Sequence, residues 1–208
     1  MSRDDVTALP LSFAQERLWF LDQLIPGSPA YTIFDAVRLR GPLDVDALRT
    51  ALTELVRRHE ILRSTFPSVA GRPVQIAHAP EPLDVSLTDL SQVAPAQREV
   101  ELERALAEEA ARPLSLTSAP MLRAALFQLG DEEHVLSLAI HHIAFDAWSD
   151  RVLRAELAAL YVAFRRGEDP SLPEPELQFA DYAVWQREWL TGDVLQRDLD
   201  HWRASPGC

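Results

Sequence analysis

Runs of apolar residues along the chain alternate between the period of an amphipathic helix and that of a strand. Helical spacing predicts six helices, over residues 12–21, 44–58, 95–112, 149–166, 179–190 and 194–204. Ser12 is placed to begin the first of them, with Gln15 three residues later completing a capping box. Asp44 is placed to cap the second, and Val100, Leu102 and Leu106 are the expected buried side of the third.

Short β-branched and aromatic runs predict the strands, which cover residues 31–39, 61–66, 73–77, 83–87, 121–129 and 134–140. Gly71 and Gly130 supply turn signals between neighbouring strands. The run 134–140 is almost wholly apolar, as in the middle of a covered sheet. Helices interleaved with strands and hairpins predict an α/β (α+β) layered sandwich, in which helices cover a mixed sheet.

Composition removes several classes of function. The 208 residues carry a formal net charge of −12, which disfavours nucleic-acid binding because that needs clustered positive charge. The sequence contains no lysine, which excludes Schiff-base catalysis and phosphate-loop lysines. Cys208 is the single cysteine, so no intrachain disulfide can form. Because neither a membrane-spanning run nor a secretion signal is recognisable, we expect a cytoplasmic protein that does not bind membranes.

The candidate chemistry lies where the most apolar strand meets a turn. His141 and His142 are adjacent there, and Asp146 follows four residues later. Side chains alternate along a strand, so one histidine is expected to be structural and the other free to act. A neutral imidazole accepts or holds a proton near pH 7. The carboxylate could orient that ring, or could pair with an arginine and lock the turn.

Other interpretations of the two histidines stay open from the spacing alone. Paired histidines are often packing or surface residues. Histidine and aspartate are both zinc ligands, but the flanking sequence offers only His134 beyond the motif, so we expect no bound metal. A serine hydrolase is excluded because no Gly-x-Ser-x-Gly elbow exists.

Four segments resemble, in order, the first four core motifs of the condensation domains of nonribosomal peptide synthetases. They are residues 12–21 (SFAQERLWFL), 58–66 (RHEILRSTF), 141–149 (HHIAFDAWS, similar to the HHxxxDG signature) and 179–185 (FADYAVW). The resemblance covers nearly the whole chain. The first motif and Trp148-Ser149 are similar to the subtype that joins an L-donor to an L-acceptor.

The resemblance implies a lobe of the chloramphenicol acetyltransferase-like superfamily. Condensation domains pair two such lobes in a V, with the active site in a tunnel between them. An acceptor amine attacks a donor thioester, and both arrive on phosphopantetheine arms of peptidyl or acyl carrier proteins, so no cofactor is bound directly.

The resemblance also implies roles for single residues. His142 takes the catalytic position, as a base or as a positioning group, and His141 is structural. Asp146 and Arg63 form a salt bridge that shapes the signature loop, whose loss would cost ~3–5 kcal/mol. Trp202 is expected to pack in the core.

Two features depart from the family pattern. Ala147 stands where the signature has glycine, which would cost ~1–2 kcal/mol if the backbone there had a positive φ, or would press on the substrate arm. The chain is also about half as long as family members.

We therefore expect residues 1–166 to form the N-terminal lobe, and 167–208 a connector and helices leading toward a C-terminal lobe. The alternatives are a non-catalytic remnant or carrier-docking module, and an acetyltransferase-like enzyme whose oligomer supplies the second wall.

Overall fold

The computed structural model describes residues 8–204 of the chain. Its helices are α1 (Phe13–Leu24), α2 (Val45–Arg58), α3 (Pro95–Ala111), α4 (Ala147–Arg165), α5 (Phe179–Trp189) and α6 (Gly192–Ala204). Its strands are β1 (Leu9–Pro10), β2 (Thr32–Arg40), β3 (Ser64–Thr65), β4 (Ser68–Val69), β5 (Arg72–Ala77), β6 (Val85–Asp89), β7 (Leu122–Gly130) and β8 (Glu133–His141). None of the helices in this described part is both long and apolar enough to cross a membrane.

The main sheet has the strand order β2-β8-β7-β6. β8 pairs antiparallel with both β2 and β7, whereas β6 pairs parallel with β7, so the sheet is mixed. The central position of β8 confirms the prediction drawn from its apolar run. Every residue of β8 from His134 to His141 is buried, because neighbours flank the strand on both sides and helices cover both faces.

Helices cover the two faces of this sheet. α2 and α4 pack on one face against the even-numbered residues of β7 and β8, such as Leu126 and Leu138. α3 packs on the other face, where Leu102 meets Phe127 and Val135. The alternation of apolar side chains along β7 and β8 thus builds two cores, which confirms the predicted layered sandwich.

A smaller sheet supports the turn that carries the histidines. In it β5 pairs with β1, β3 and β4. Beside it lies a third apolar cluster of Leu11, Phe66, Leu116, Met121 and Ile143. Because Ile143 belongs to the histidine turn and is buried in this cluster, its packing holds the turn in place.

Local signals predicted the starts of α1 and α2. Ser12 caps α1, with the reciprocal Gln15 bond of a capping box, and the Asp44 side chain accepts from the Ala47 N–H at 2.9 Å. These interactions join residues three apart and do not depend on the rest of the fold.

Three local predictions were wrong. Residues 61–66 do not form one strand. A 3₁₀ helix spans Glu60–Arg63 and is closed by the Ser64 hydroxyl, which donates to the Glu60 carbonyl. Within this stretch only the two residues of β3 are extended. Val100 is 62% exposed, because it lies about 200° around α3 from Leu102 and both cannot face the sheet. Trp202 is 73% exposed on α6 and packs in no core.

Candidate active site around His142

His142 lies at the surface, directly after the end of the central strand β8. β8 ends at His141, and the chain then turns through residues 142–146 before α4 begins. The His142 N–H donates to the Tyr31 carbonyl at 2.7 Å, and the Ala144 N–H donates to the His141 carbonyl at 2.9 Å. These bonds fix the turn against the start of β2. His141 is buried and His142 exposed, which is the alternation expected at a strand end.

His141 is held neutral inside the lobe. Its side chain is almost fully enclosed, and its Nδ1 accepts the Ile143 N–H at 3.0 Å. Since Nδ1 must be unprotonated to accept that bond, the ring proton lies on Nε2. Burial, with a smaller contribution from the neighbouring His142 ring, lowers the pKa of His141 to about 4. The residue therefore shapes the turn.

His142 has the opposite arrangement. Its Nδ1 lies 2.8 Å from the Phe145 carbonyl oxygen, which can only accept, so in the neutral ring Nδ1 carries the proton. Nε2 then holds the lone pair, on a side chain open to solvent. A ring fixed in this tautomer can accept an N–H or O–H from a substrate. The backbone of the turn itself sets this tautomer.

The expected salt bridge between Arg63 and Asp146 does not form. Asp146 is the N-cap of α4, and its carboxylate accepts from the Ser149 N–H at 2.8 Å and the Ser149 hydroxyl at 2.7 Å. These hydrogen bonds lower the pKa of Asp146. Arg63 instead lies 3.5 Å from Glu60 and donates to the carbonyls of Arg57 and His78. Each group meets its needs locally, so the two residues do not pair.

Ala147 does not strain the turn. It is the first residue of α4, and among the described residues only Ala70 has a positive φ without being glycine. The condition for the backbone cost, a positive φ at Ala147, is therefore not met. Trp148 is exposed, and its ring lies 5.7 Å below the Arg151 guanidinium.

A cavity of about 520 Å³ opens beside His142. It lies between the turn, the start of α4 and residues from the other three motif-like segments. The residues that line the cavity include Ser12, Gln15, His59, Leu62, Trp148, Ser149, Leu177, Gln178 and Phe179. The structure thus brings all four segments to one cavity, although they lie far apart in the sequence.

Charged groups that sequence reasoning missed stand behind this cavity. The Glu156 carboxylate lies 2.7 Å from His59 Nε2 and 3.4 Å from the guanidinium of Arg58, whose side chain is only 3% exposed. Burial alone would raise the pKa of Glu156, but the bonds from His59 and Arg58 outweigh it and lower that pKa. A signal existed: Glu156 lies between Leu153 and Leu160 on the buried stripe of α4, where a carboxylate needs a partner.

Two glutamines connect the motif-like segments. Gln178 accepts from the Glu60 N–H and donates to the Arg58 carbonyl, both at 3.0 Å, which holds the start of α5 to the end of α2. Gln15 is buried, and its Nε2 approaches the Ile143 carbonyl at 3.5 Å. Its position between α1 and the histidine turn explains why this polar side chain is buried.

The third histidine near the motif lies away from the other two. His134 is buried near the start of β8, whereas His141 is the last residue of that strand, so the three rings do not converge. The described residues contain no group of three or more His, Cys, Asp or Glu side chains arranged to hold a metal ion.

The fold and site together define a lobe of chloramphenicol acetyltransferase-like architecture that presents one histidine at the end of its central strand. The sequence model of the Condensation domain family matches residues 6–205. The chain therefore belongs to the condensation-domain family of nonribosomal peptide synthetases.

Known proteins show how much of such a domain the chain spans. It is 47% identical over 199 residues to one of the linear gramicidin synthase proteins of Brevibacillus parabrevis, covering 96% of this chain but 3% of that synthase. The X-domain from teicoplanin biosynthesis is 34% identical with a TM-score of 0.84, over 98% of this chain and 44% of that one. The first condensation domain of the calcium-dependent antibiotic synthetase, solved with a substrate analogue, is 27% identical with a TM-score of 0.84 over 95% and 47%. The chain thus spans less than half of these solved proteins.

Removing the Asp146 carboxylate is expected to cost the stability of one helix cap. Asp146→Ala should lower the free energy of unfolding by about 1 kcal/mol, because the Ser149 N–H loses its acceptor. This is well below the ~3–5 kcal/mol expected for a buried ion pair. Urea unfolding of Asp146→Ala and Asp146→Ser measures it, since serine retains a capping oxygen. A loss above about 3 kcal/mol would contradict the cap assignment.

His141 is expected to make stability depend on pH. The unfolded chain takes up a proton near the ordinary pKa of 6.5, whereas folded His141 does so only near 4. The contribution of neutral His141 to the free energy of unfolding is therefore complete above the unfolded pKa, and it is lost as the pH falls toward 4. Between about pH 7 and pH 5 this residue should remove about 2 kcal/mol from the free energy of unfolding.

Urea unfolding at the two pH values tests this dependence. The His141→Asn variant should lose less stability on acidification than the wild type does. The exposed His201→Asn should behave as wild type. Equal pH dependence in all three proteins would show that His141 titrates normally.

Proposed function

We propose that this chain is the N-terminal lobe of an amide-forming condensation domain, and that His142 acts on the acceptor amine. The observation that carries the proposal is the exposed His142 ring, whose Nδ1–H donates to Phe145 and whose Nε2 is left as an acceptor beside the cavity. In the reaction the amine nitrogen bonds to the thioester carbonyl carbon. The carbon–sulfur bond breaks, and the proton that the amine loses ends on the departing sulfur, which leaves as the thiol.

Nε2 is suited to accept the hydrogen bond from the attacking amine. An amine needs little base assistance to attack a thioester, so the greater part of the rate enhancement comes from placement. His142 supplies one fixed point for that placement. The donor and acceptor arrive on phosphopantetheine arms of carrier proteins, and no further cofactor takes part.

Placement also needs a second wall opposite His142. An exposed apolar surface on this lobe is evidence that a second lobe supplies that wall. Along α5 the rings of Phe179, Tyr182, Trp185 and Trp189 follow one another with centroids 5.4, 5.8 and 5.3 Å apart. All four are exposed, as is Trp202 on α6. Exposed apolar patches of this kind mark interaction sites. We propose that these aromatic side chains contact a C-terminal lobe, and that residues 167–208 connect the two lobes.

Amide formation by the chain alone, compared with a completed domain, tests the proposal. With donor- and acceptor-loaded carrier proteins, the isolated chain should form no amide above the uncatalysed rate. In a hybrid protein, this chain replaces the matching 199 residues of the linear gramicidin synthase protein, which then supplies the second lobe. The hybrid should form the amide. Mass spectrometry of the released product measures both.

The other outcomes favour the alternatives. A folded, substituted domain that binds loaded carriers but forms no amide would indicate a non-catalytic docking module. Turnover by the isolated chain would show that one lobe suffices, with a homo-oligomer as the source of the second wall.

A further inference from the structure

A second cavity, of about 460 Å³, lies on the other side of Phe145 from the His142 cavity. It runs between α4 and the face of the sheet formed by β2 and β8. Ile33, Asp35 and Val37 of β2 lie opposite Ile140, Leu138 and Leu136 of β8 on that face. From Ile33 to Leu39 the strand advances roughly 20 Å, so the cavity is an elongated groove.

The lining of this groove is polarised from end to end. At the end nearest the histidine turn it is closed by Phe145 and Leu153, which are both buried. Along its opening, Arg154 pairs with both Asp35 and Asp150, a cluster of one cation and two carboxylates that keeps an excess negative charge. Apart from this cluster, apolar side chains line the middle and the inner end of the groove.

The far end carries two cations. Arg40 ends β2 and Arg165 ends α4, both are exposed, and both line the groove. Within residues 8–204 neither guanidinium has an ion pair or a side-chain hydrogen bond, although the chain carries a net charge of −12. Tyr161 lies one helical turn before Arg165 on the same face of α4. Its hydroxyl oxygen accepts from the Asp44 N–H at 3.1 Å, which leaves its own hydrogen to donate.

We propose that this groove binds a free long-chain carboxylate. The alkyl tail would lie along the β2–β8 face toward Phe145, and the carboxylate would meet Arg40, Arg165 and the Tyr161 hydroxyl. A guanidinium offers paired donors that match the two oxygens of a carboxylate. An elongated apolar groove with cations at one end fits a single-tailed anion better than a compact or cationic ligand. The site shares no chemistry with the His142 cavity, so it stands or falls independently of the proposed function.

Calorimetric titration of the full chain with dodecanoate, kept below its micelle concentration, tests the charge requirement. Dodecanoate should bind one to one, and 1-dodecanol and dodecylammonium should bind at least about tenfold more weakly, because they lack the anion. Arg40→Gln combined with Arg165→Gln should weaken dodecanoate binding by about the same factor and leave 1-dodecanol unaffected. Equal binding of the three ligands, or an unchanged affinity in the double variant, would overturn the proposal.

A pair of matched variants tests the location. Ala158 is exposed and lines the groove, whereas the neighbouring exposed Ala159 does not. Ala158→Trp should abolish dodecanoate binding and Ala159→Trp should leave it intact, with both proteins folded because each change is at an exposed position. Binding retained in Ala158→Trp, or lost in both variants, would overturn the assignment.

Discussion

In a complete two-lobed domain, His142→Ala is expected to lower amide formation by about 100-fold or more. The variant removes the ring nitrogen that the Phe145 bond leaves as an acceptor beside the cavity, and loss of the placement that it gives the amine typically costs about that factor. The measurement is the single-turnover rate with loaded carriers in the substituted synthase. Gln97→Ala, which truncates an exposed side chain on α3, across the sheet from the cavity, should leave the rate unchanged.

Stability measurements separate this effect from misfolding. Because His142 is exposed and contributes one hydrogen bond to the turn, His142→Ala should change the free energy of unfolding by no more than about 1 kcal/mol. A variant that is folded and as fast as the wild type would show that His142 does not act in the reaction.

A glutamine variant distinguishes the two roles open to His142. The glutamine amide can accept a hydrogen bond from the amine, but it cannot take up a proton. If His142 positions the amine, His142→Gln should recover part of the rate lost in His142→Ala. If His142 is a general base, the two variants should be equally slow.

The sequence predicted those features that short segments decide alone. The caps at Ser12 and Asp44 use partners three residues away, and the apolar alternation of β8 placed it at the centre of the sheet. The same alternation separated buried His141 from exposed His142, because neighbouring residues of a strand face opposite sides.

Pairings between distant residues were not predictable in this way. Asp146 and Arg63 were expected to pair with each other. Instead Asp146 accepts hydrogen bonds from Ser149, and Arg63 pairs with Glu60, each partner being only three residues away. His59 and Glu156 are 97 residues apart, so only the packing of α2 against α4 brings them together.

Exposure was equally hard to read for large aromatic residues. Trp202 was expected to be in a core because it resembles an aromatic position of the family, but burial depends on what covers the helix. The 61–66 segment misled for a related reason. Its apolar residues match a buried strand, but Leu62 is buried from within a 3₁₀ turn.

Among the charged residues around the cavity, the buried Arg58 is the one whose loss is expected to destabilise the lobe most. Its guanidinium donates to the Pro173 carbonyl at 2.7 Å, and lies 3.4 Å from Glu156 and 3.5 Å from the Leu172 carbonyl. One side chain thus joins α2, α4 and the proline-rich connector. Arg58→Ala would leave a half-buried carboxylate with one partner fewer and two carbonyls without their donor.

We expect Arg58→Ala to lower the free energy of unfolding by about 3–5 kcal/mol, the range for breaking a buried ion pair on one side. Arg57→Ala is the matched control, because Arg57 is the neighbouring arginine of α2 and pairs with Glu54 and Glu174, but is far more exposed. It should cost no more than about 1 kcal/mol. Arg58→Lys should rescue little, since a single ammonium cannot span the same acceptors. Urea unfolding of the three variants measures the series, and equal losses at Arg57 and Arg58 would show that burial of the Arg58 network adds nothing to the lobe.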